Sequence, residues 1–339
     1  MTSERTPTAS SPQAPAAFAV LADINQLWFV ATLGAVAQFN FASIIGDGEM
    51  TTQELAQELK LQERWVYRTL RALSTRGYFA LVKEEPPTVR NTPKSAVLRD
   101  DHPQSMRAMA QLILGQRGFQ QWSYLPETMR TGQPGAEIVL GMPTYRYFDQ
   151  HPEESAIFDR AMGNFDATVN TAIVKAFDFS SYSHIVDVGG GNGSLLMQIH
   201  QYHPGVSKTL FERSIVIEKV KQTVHPFAAI AGDFFKELPV ADLYLLKEVF
   251  HNWPDSECVE ILGTCRRTNP DAAVLVSEQV IGIGQNFAEW LDLPMGVEQN
   301  GCERTRQEYE AIFEKAGYRL SQVFPTHSPH TLLLAEVQS

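Results

Sequence analysis

Residues 184–194 read HIVDVGGGNGS, and this segment decides the fold of the chain. Its first five residues have the apolar, β-branched character of a buried strand, and residues 195–202 continue with a helical pattern. The glycines between them allow a tight turn and a close approach to a ligand, because glycine has no Cβ atom. The N-terminus of the following helix offers free N–H groups to a carboxylate or a phosphate. The segment therefore predicts a ligand-binding turn in an α/β fold.

The spacing of the glycines distinguishes three classes of nucleotide-binding turn. A nicotinamide-binding turn requires Gly-x-Gly-x-x-Gly, but Gly189 and Gly191 are followed by Ser194 at the third glycine position. A P-loop requires a Lys-Ser or Lys-Thr pair after its last glycine, which this segment lacks. The order Asp-x-Gly-x-Gly-x-Gly, from Asp187 to Gly193, resembles the first motif of the class I methyltransferases.

Short apolar runs alternate with helical stretches after this turn, which is typical of a mostly parallel sheet with helices on both faces. The predicted strands are residues 208–211, 227–230, 243–246 and 274–277. Two further runs, 319–324 and 331–337, are joined by a short link and predict an antiparallel hairpin at the sheet edge. We therefore predict a Rossmann-like catalytic domain of the class I methyltransferase type over residues 179–339.

The N-terminal region predicts a second, mainly helical domain. Residues 18–45 look like one or two helices that are apolar nearly all round, so we expect them to be buried in a subunit interface. Thr51 and Glu54 have the spacing of a capping box at a helix start. A second helix over 62–74 ends before Gly77, and residues 78–82 follow as a strand. Together these elements predict a winged helix-turn-helix.

Two functions are open for this unit, DNA binding and dimerisation. The predicted second helix carries Trp65, Val66, Leu70 and Leu73 on one side and Arg64, Arg68 and Arg71 on the other. The arginines are compatible with DNA, but the formal net charge of −11 disfavours a polyanionic partner. We expect a homodimerisation domain and no nucleic-acid partner, and we keep a DNA-binding regulator as the weaker alternative.

Residue composition and hydrophobic pattern divide the chain into further segments. Residues 1–15 are rich in Ser, Thr, Pro and Ala and predict a disordered tail, followed by the winged-helix domain over 16–105 and a helical connector over 106–178 that lines the substrate pocket. The apolar run Leu27–Ala37 is shorter than the ~20 residues that a membrane span needs. The three cysteines match no zinc or disulfide pattern. We expect a cytoplasmic protein without a membrane partner.

Candidate cofactor residues stand at the ends of successive predicted strands. Glu212 ends the second strand, where an acid can accept hydrogen bonds from both hydroxyls of a ribose. Asp233 and Phe234 follow the third strand, where a carboxylate can accept from an adenine amino group and an aromatic ring can pack on the purine. Ligands of open α/β sheets bind at such strand ends, so we expect these residues to form one site.

Residues 246–255 read LKEVFHNWPD, which resembles the "L-K-x-x-x-H-D-W-x-D" segment of the plant-type small-molecule O-methyltransferases and their bacterial secondary-metabolite branch. Residues 301–305, GCERT, match that family's "G-x-E-R-T". The resemblance implies S-adenosylmethionine as cofactor, S-adenosylhomocysteine as product, no metal, and a small, aromatic acceptor. It implies a base role for His251, with Glu278 and Glu303 as the flanking acids.

Further roles follow from the same resemblance. The implied cofactor residues are Asp187, Gly189, Gly191, Gly193, Glu212, Asp233, Phe234 and Lys247, and the candidate acceptor contacts are Met162, Trp253, Met295 and Glu298. The base role is also physically sound, because a phenol ionises near pH ~10 and a neutral imidazole can remove its proton during attack. Neighbouring carboxylates would fix the histidine tautomer and stabilise the imidazolium.

The chain departs from the family pattern in its pocket. Asn252 replaces the usual Asp after the histidine, and Glu212 is followed by Arg213-Ser214 instead of the usual "D-L-P". Gly296 and Glu298 stand where relatives often have apolar residues, which predicts a more hydrophilic acceptor or an altered reaction. Relatives with hydroxylation, decarboxylation or pericyclic chemistry keep the same cofactor, and this diverged chemistry is the main alternative to methyl transfer.

Overall fold

The computed structural model describes residues 15–284 and 287–338, without the side chains of residues 164–167. The chain divides into two compact units, with the boundary between Arg117 and Gly118. This boundary falls within the stretch 106–178 that the sequence predicts to be a connector. Apart from residue 15, the predicted tail lies outside the described residues.

The first unit combines helices with a small antiparallel sheet. Its elements are α1 Ala16–Ile24, α2 Gln26–Gln38, α3 Phe41–Ile45, β1 Glu49–Thr51, α4 Thr52–Glu58, α5 Glu63–Ser74, β2 Phe79–Glu84, β3 Pro87–Asn91, α6 Pro93–Ala96 and α7 Arg107–Leu114. The sheet has the order β1-β3-β2 with antiparallel pairs. The helix pair α4–α5 followed by this sheet is the predicted winged helix-turn-helix, although strands β1 and β3 were not predicted from the sequence.

The two helices of the motif begin and pack largely as predicted. Thr51 caps α4, since its hydroxyl accepts from the Glu54 N–H at 3.1 Å while its own N–H donates to the Glu54 carboxylate at 2.8 Å. Helix α5 buries Val66, Leu70 and Leu73. The placement of Trp65 on this buried side was wrong: its side chain is 61% exposed, and the Arg68 guanidinium lies 4.3 Å from the ring centroid. Trp65 precedes the buried stripe by one position and therefore points away from it.

Helices α1 and α2 expose six large apolar side chains within residues 18–28. The exposed side chains are Phe18, Val20, Leu21, Ile24, Leu27 and Trp28. By length and composition alone, Ala16–Gln38 could cross a membrane. The C-terminal part of α2, however, packs against α7, where Gly34, Val36 and Ala37 are buried and a Cβ atom at Gly34 would overlap with Leu114.

The second unit contains a seven-stranded sheet and the remaining helices. Its helices are α8 Gln116–Ser123 (which begins two residues before the unit boundary), α9 Leu125–Thr131, α10 Gly135–Leu140, α11 Thr144–Gln150, α12 Pro152–Ala176, α13 Ser194–Tyr202, α14 Ser214–Val220, α15 Asp255–Thr268, α16 Ala288–Gln299 and α17 Arg306–Lys315, with short 3-10 helices at Phe179–Ser181 and Phe250–Asn252. Its strands are β4 His184–Val188, β5 Ser207–Glu212, β6 Ala228–Ala231, β7 Leu243–Lys247, β8 Ala273–Glu278, β9 Val280–Ile281, β10 Arg304–Thr305, β11 Tyr318–Pro325 and β12 Thr331–Val337.

The strand order of the large sheet is β11-β12-β8-β7-β4-β5-β6. The five strands from β8 to β6 are parallel, and the β11–β12 hairpin adds to β8 in antiparallel orientation. These strands agree with the sequence prediction. Because β5 and β7 lie on either side of β4, the chain reverses its direction across the sheet at β4, and the carboxyl ends of these three strands meet there.

A small parallel pair outside the large sheet brings two distant segments together. Strand β9 follows β8 directly and pairs with β10, with Val280 opposite Arg304 and Ile281 opposite Thr305. The pair places the end of β8 beside the GCERT segment. The sequence did not indicate this pairing, because strands of two residues are too short to show a period.

Burial on α5 generates a stability prediction. We expect Leu70→Ala to lower the stability of the folded chain by about 2–5 kcal/mol, since Leu70 is fully buried and its truncation leaves a cavity. Trp65→Ala on the same helix should cost less than about 1 kcal/mol, because only an exposed cation–π contact is lost. Thermal unfolding followed by circular dichroism measures both, and equal losses would contradict the assignment of the two faces.

Candidate active site

The glycine turn after β4 forms a cradle of backbone atoms. Gly189, Gly191 and Gly193 all have positive φ, at 72°, 57° and 77°, a conformation that L side chains rarely adopt. The Gly189 N–H donates to the carbonyl of Phe211 at 2.8 Å, which ties the turn to β5. A Cβ atom at Gly190 would overlap with the buried Asp187 carboxylate. The turn therefore needs glycine for its conformation and for its close approach to Asp187.

Glu212 lies beside this cradle at the end of β5. Its carboxylate accepts from the Arg213 N–H at 2.7 Å and from the Gly191 N–H at 3.4 Å. The side chain is 14% exposed. Glu212 thus presents a fixed acceptor next to the glycine turn, as the sequence predicts for a ribose contact.

Asp233 and Phe234 follow β6 at the same edge of the sheet. The Asp233 carboxylate accepts from the Phe235 N–H at 3.1 Å and pairs with Lys236 at 2.8 Å, and the hydrogen bond from Lys236 lowers the pKa of Asp233. The Phe234 ring is half-buried and packs edge-on against Trp253, with centroids 6.0 Å apart. Both residues lie where the sequence places the adenine contacts.

His251 lies on the 3-10 helix that follows β7, with two buried glutamates on one side of its ring. Its Nδ1 is 2.9 Å from Glu303 Oε1 and 3.5 Å from Glu278 Oε2. The glutamate side chains are fully buried, whereas 12% of the His251 side chain is exposed. Since Nδ1 faces the carboxylates, Nε2 on the opposite side of the ring is the atom left for an acceptor.

Glu278 also holds the backbone of the histidine. Its Oε1 accepts from the Phe250 N–H at 2.9 Å and from the His251 N–H at 3.4 Å. Gly301 allows a further contact from the GCERT segment, because a Cβ atom there would overlap with the His251 carbonyl oxygen. That oxygen accepts from the Cys302 N–H at 2.9 Å. Both peptide groups of His251 are therefore fixed by residues distant in sequence.

The two glutamates determine the protonation of the histidine. Burial disfavours the imidazolium, but the charges of Glu278 and Glu303 outweigh it and raise the pKa of His251 to about 9. Burial, opposed by the charge of His251, raises the pKa of Glu278 to about 7. The cluster therefore holds a proton on His251 at neutral pH.

The same three side chains have the spacing of a metal site, since one ligand atom of each lies within 4.8 Å of the others. We interpret the cluster as a proton-holding site, because Nδ1 already lies at hydrogen-bond distance from Glu303 and Glu278 accepts two backbone N–H groups.

Sequence reasoning missed the role of Arg304, whose guanidinium is hydrogen-bonded to backbone carbonyls on either side of His251. This set of hydrogen bonds is called the Arg304 clamp. The guanidinium is buried and donates to the carbonyls of Phe250 at 3.0 Å and Trp253 at 2.7 Å, and to the Asp255 carboxylate at 2.8 Å. The motif contained this arginine, but its burial depends on the β9–β10 pairing, which the sequence did not indicate.

Tyr145 on α11 was also missed, because its partners are far away in sequence. Its hydroxyl lies 3.5 Å from Asn252 Oδ1 and is hydrogen-bonded to the Gln299 side chain. Asn252 Nδ2 donates to the Glu248 carbonyl at 2.9 Å. An aspartate at 252 could not donate to that carbonyl when ionised, so the local structure accounts for the amide.

The four residues predicted to contact the acceptor differ in their burial and in their distance from the histidine turn along the chain. Trp253 follows the histidine turn and packs edge-on against Phe235 as well as Phe234. Met295 is buried on α16, and its carbonyl accepts from the Gly301 N–H at 3.1 Å. Glu298 is half-buried on the same helix. Met162 is half-buried on α12, and within the described residues no hydrogen bond or ring contact ties it to the histidine cluster.

Lys247 ends β7, and its ammonium lies 2.8 Å from the Glu248 carboxylate. It thus lies at the same strand ends as the glycine turn, as the sequence predicts for a cofactor contact, but with a carboxylate partner from its own chain.

Comparisons with known proteins agree with this geometry. The family described as "O-methyltransferase domain" matches residues 122–319. The phenazine O-methyltransferase PhzM of Lysobacter antibioticus is 31% identical over 324 residues, which cover 93% of this chain and 94% of that protein. The solved structure of the mitomycin 7-O-methyltransferase MmcR has a TM-score of 0.88 at 28% identity, covering 95% of this chain and 98% of that one.

A second similar structure contains ligands. The O-methyltransferase NcsB1 of neocarzinostatin biosynthesis was solved in complex with S-adenosylmethionine and 2-hydroxy-5-methyl naphthoic acid. It has a TM-score of 0.79 at 26% identity, covering 91% of this chain and 96% of that one.

The Arg304 clamp generates a prediction. We expect Arg304→Lys to cost on the order of 3 kcal/mol of stability and to lower turnover, because an ammonium cannot replace the planar set of bonds to Phe250, Trp253 and Asp255. Arg306→Lys is the matched control, since Arg306 is exposed and its only bond within the described part of the chain is to Glu310 on its own helix. Thermal unfolding measures the stability of both variants, and a methyl-transfer assay measures their turnover. Wild-type stability and turnover in Arg304→Lys would refute the proposed role of Arg304.

Proposed function

This chain belongs to the O-methyltransferase domain family, and on that premise we propose that it methylates a hydroxyl of a small aromatic acceptor, with His251 as the general base that removes the hydroxyl proton. The enzyme is an S-adenosylmethionine-dependent O-methyltransferase. The observation that carries the base assignment is the 2.9 Å contact between His251 Nδ1 and the fully buried Glu303 carboxylate. This contact fixes one ring nitrogen and directs the other to the acceptor.

The described residues fit the cofactor. Positive φ at Gly189 and Gly191 opens a backbone cradle that side chains would fill, and Glu212 presents its carboxylate beside it. We propose that Asp187 and the three positive-φ glycines hold the methionine end, Glu212 the ribose, Asp233 and Phe234 the adenine, and Lys247 a further polar group. Bound there, S-adenosylmethionine would supply a methyl group from its sulfonium, and the neutral thioether would be the leaving group.

The protein's task is then to prepare the acceptor oxygen. A neutral phenol is a weak nucleophile with a pKa near ~10, so Nε2 of His251 must accept its proton as the oxygen attacks. Only the neutral imidazole, with its single proton on Nδ1, can do this, and because the pKa of His251 is raised to about 9 the share of this active form grows as the pH rises from 7 towards 9. Glu303 and Glu278 keep the other proton on Nδ1 and stabilise the imidazolium that results. Their burial strengthens this effect, because little water screens them. Proton removal and orientation are therefore what this chain contributes.

Polar groups support an acceptor with more than one hydrogen-bonding substituent. The proposed pocket offers Tyr145 and Asn252 beside the histidine turn, together with Trp253, Met295, Glu298 and Met162. Relatives named for phenazine and mitomycin substrates, and the naphthoic acid bound by NcsB1, support an aromatic acceptor from secondary metabolism. The retained His251, Glu278 and Glu303 favour methyl transfer over diverged chemistry.

The base role predicts the behaviour of His251→Ala. We expect turnover to fall by about 10²–10⁴-fold, the range for loss of a general base, with affinity for S-adenosylhomocysteine kept. Labelled methyl transfer to a panel of phenols, starting with 1,4-dihydroxy-2-naphthoic acid, measures the loss, and calorimetry measures the affinity. His184→Gln is the control, since His184 bonds Thr209 at the opposite end of the sheet. Unchanged turnover in His251→Ala would remove the histidine from this role.

We further propose a homodimer formed through the apolar surface of α1 and α2. Exposed apolar side chains grouped in this way mark an interaction surface, and Ile24, Leu27 and Trp28 are all more than half exposed. A bilayer is a poor alternative, because α2 is held from Phe29 onward: the Phe29 and Tyr78 ring centroids lie 5.8 Å apart, and α7 packs against Gly34. The free stretch 16–28 is shorter than the ~20 residues of a span. With this surface covered by a second copy, we propose a soluble, cytoplasmic enzyme without a nucleic-acid partner.

The dimer is tested by charge placed on this surface. We expect Ile24→Glu combined with Trp28→Glu to convert a dimer into a species of 37.9 kDa, the mass of one chain, because buried unpaired carboxylates are costly. Val224→Glu, at an isolated and fully exposed apolar position of the second unit, should leave the dimer intact. Light scattering coupled to size exclusion reports the mass, and a monomeric parent protein would refute the interface.

A further inference from the structure

Glu248 adopts a backbone conformation that is uncommon for its residue type. Its φ is +54°, in the left-handed region, where a side chain other than glycine is strained. The residue lies between the last residue of β7, Lys247, and the 3-10 helix that carries His251. The strained residue is therefore the point at which the chain turns from the sheet into the catalytic segment.

The backbone of Glu248 is fixed on both sides. Its N–H donates to the Ser277 carbonyl at 3.1 Å, which extends the contact between β7 and β8 by one residue. Its carbonyl accepts from Asn252 Nδ2 at 2.9 Å, which closes the turn. The geometry of Phe250, His251 and Asn252 thus depends on the left-handed conformation at Glu248.

The side chain of Glu248 has two cationic or polar partners. Oε2 lies 2.8 Å from Lys247 Nζ, and Oε1 lies 3.2 Å from Nε2 of His330. His330 is buried, and its Nδ1 lies 3.1 Å from the Ser277 hydroxyl. Ser277 therefore holds both the backbone N–H of Glu248 and the histidine that faces its carboxylate.

His330 is itself held rigidly in the β11–β12 loop. Its N–H donates to the Ser328 hydroxyl at 3.2 Å, and its carbonyl accepts from the Thr326 hydroxyl at 2.7 Å. The ring therefore projects from a fixed turn at the sheet edge. Burial opposes ionisation of Glu248, but Lys247 and His330 outweigh it and hold the pKa of Glu248 well below its usual value.

We propose that Glu248 and His330 are positioning residues for methyl transfer: the contact between the half-buried Glu248 and the buried His330 holds the left-handed turn and thereby fixes His251 and Asn252 in the acceptor pocket. The inference rests on the proposed base role of His251. Without the contact the strain at Glu248 is no longer offset, and the turn can relax toward other backbone conformations. Small displacements of a catalytic group have large effects on turnover.

Backbone order at the turn tests the proposal without a substrate. We expect His330→Leu and Glu248→Ala each to reduce the hydrogen-exchange protection of the Phe250 and His251 amides by about tenfold, because these N–H groups donate to Glu278 only while the turn is held. Glu248→Gly, which adopts the left-handed conformation without strain, should lose less protection than Glu248→Ala. His184→Gln is the matched control and should change nothing at the turn.

Two functional readouts separate positioning from general destabilisation. We expect kcat to fall about tenfold in the His330 and Glu248 variants. The KM for S-adenosylmethionine should change less than about twofold in His330→Leu, which leaves the pair of Glu248 with the proposed cofactor contact Lys247 in place. The His251 imidazole should also titrate at lower pH in Glu248→Ala, because Glu248 adds to the effect of Glu278 and Glu303 in raising the pKa of His251. The double variant Glu248→Ala/His330→Leu should lose no more turnover than the worse single variant.

Several outcomes would overturn the inference. These are full protection of the turn amides in His330→Leu, equal losses of protection in Glu248→Gly and Glu248→Ala, or losses of turnover that multiply in the double variant. Each is distinguishable from failure of the proposed function, which would appear as unchanged turnover in His251→Ala measured in parallel. Where Glu248→Ala does not fold, Glu248→Gln keeps the side-chain shape and should still shift the titration of His251 to lower pH.

Discussion

The active site depends on one contact, the approach of His251 Nδ1 to two buried glutamates. Imidazole can carry its proton on either nitrogen, and a base that faces the acceptor must leave Nε2 free. Glu303 at 2.9 Å and Glu278 at 3.5 Å settle this choice by holding a proton on Nδ1. Because both carboxylates are fully buried, their effect on the imidazole is strong and persistent.

The surrounding structure serves to hold this contact. Strand β9 pairs with β10 so that Glu303 reaches the end of β8, and Arg304 fixes the carbonyls of the histidine turn from the same segment. Glu278 accepts the N–H groups of Phe250 and His251. The glycine turn lies at the neighbouring strand end, so the proposed cofactor cradle and the proposed base share one edge of the sheet.

Much of this arrangement could be predicted from the sequence, because it is encoded locally. Alternating apolar runs indicated each strand of the large sheet, and the motif at 184–194 indicated the cradle. The grouping of His251, Glu278 and Glu303 was predicted from a resemblance to a known family. His251 and Glu303 are 52 residues apart, so no local sequence pattern connects them. Tyr145, Arg304 and His330 were missed because their roles arise from tertiary contacts. Trp65 was assigned to the wrong face because an apolar residue beside a buried stripe looks like part of it.

The protonation of His251 is the most direct test of this account. Nitrogen-15 NMR of the imidazole side chains, with His251 assigned by its loss in His251→Ala, follows both ring nitrogens through a pH titration. The account predicts that both nitrogens carry protons at neutral pH and that Nε2 loses its proton as the pH rises towards about 9, while Nδ1 stays protonated. A His251 that is neutral at pH 7 with its proton on Nε2 would contradict it.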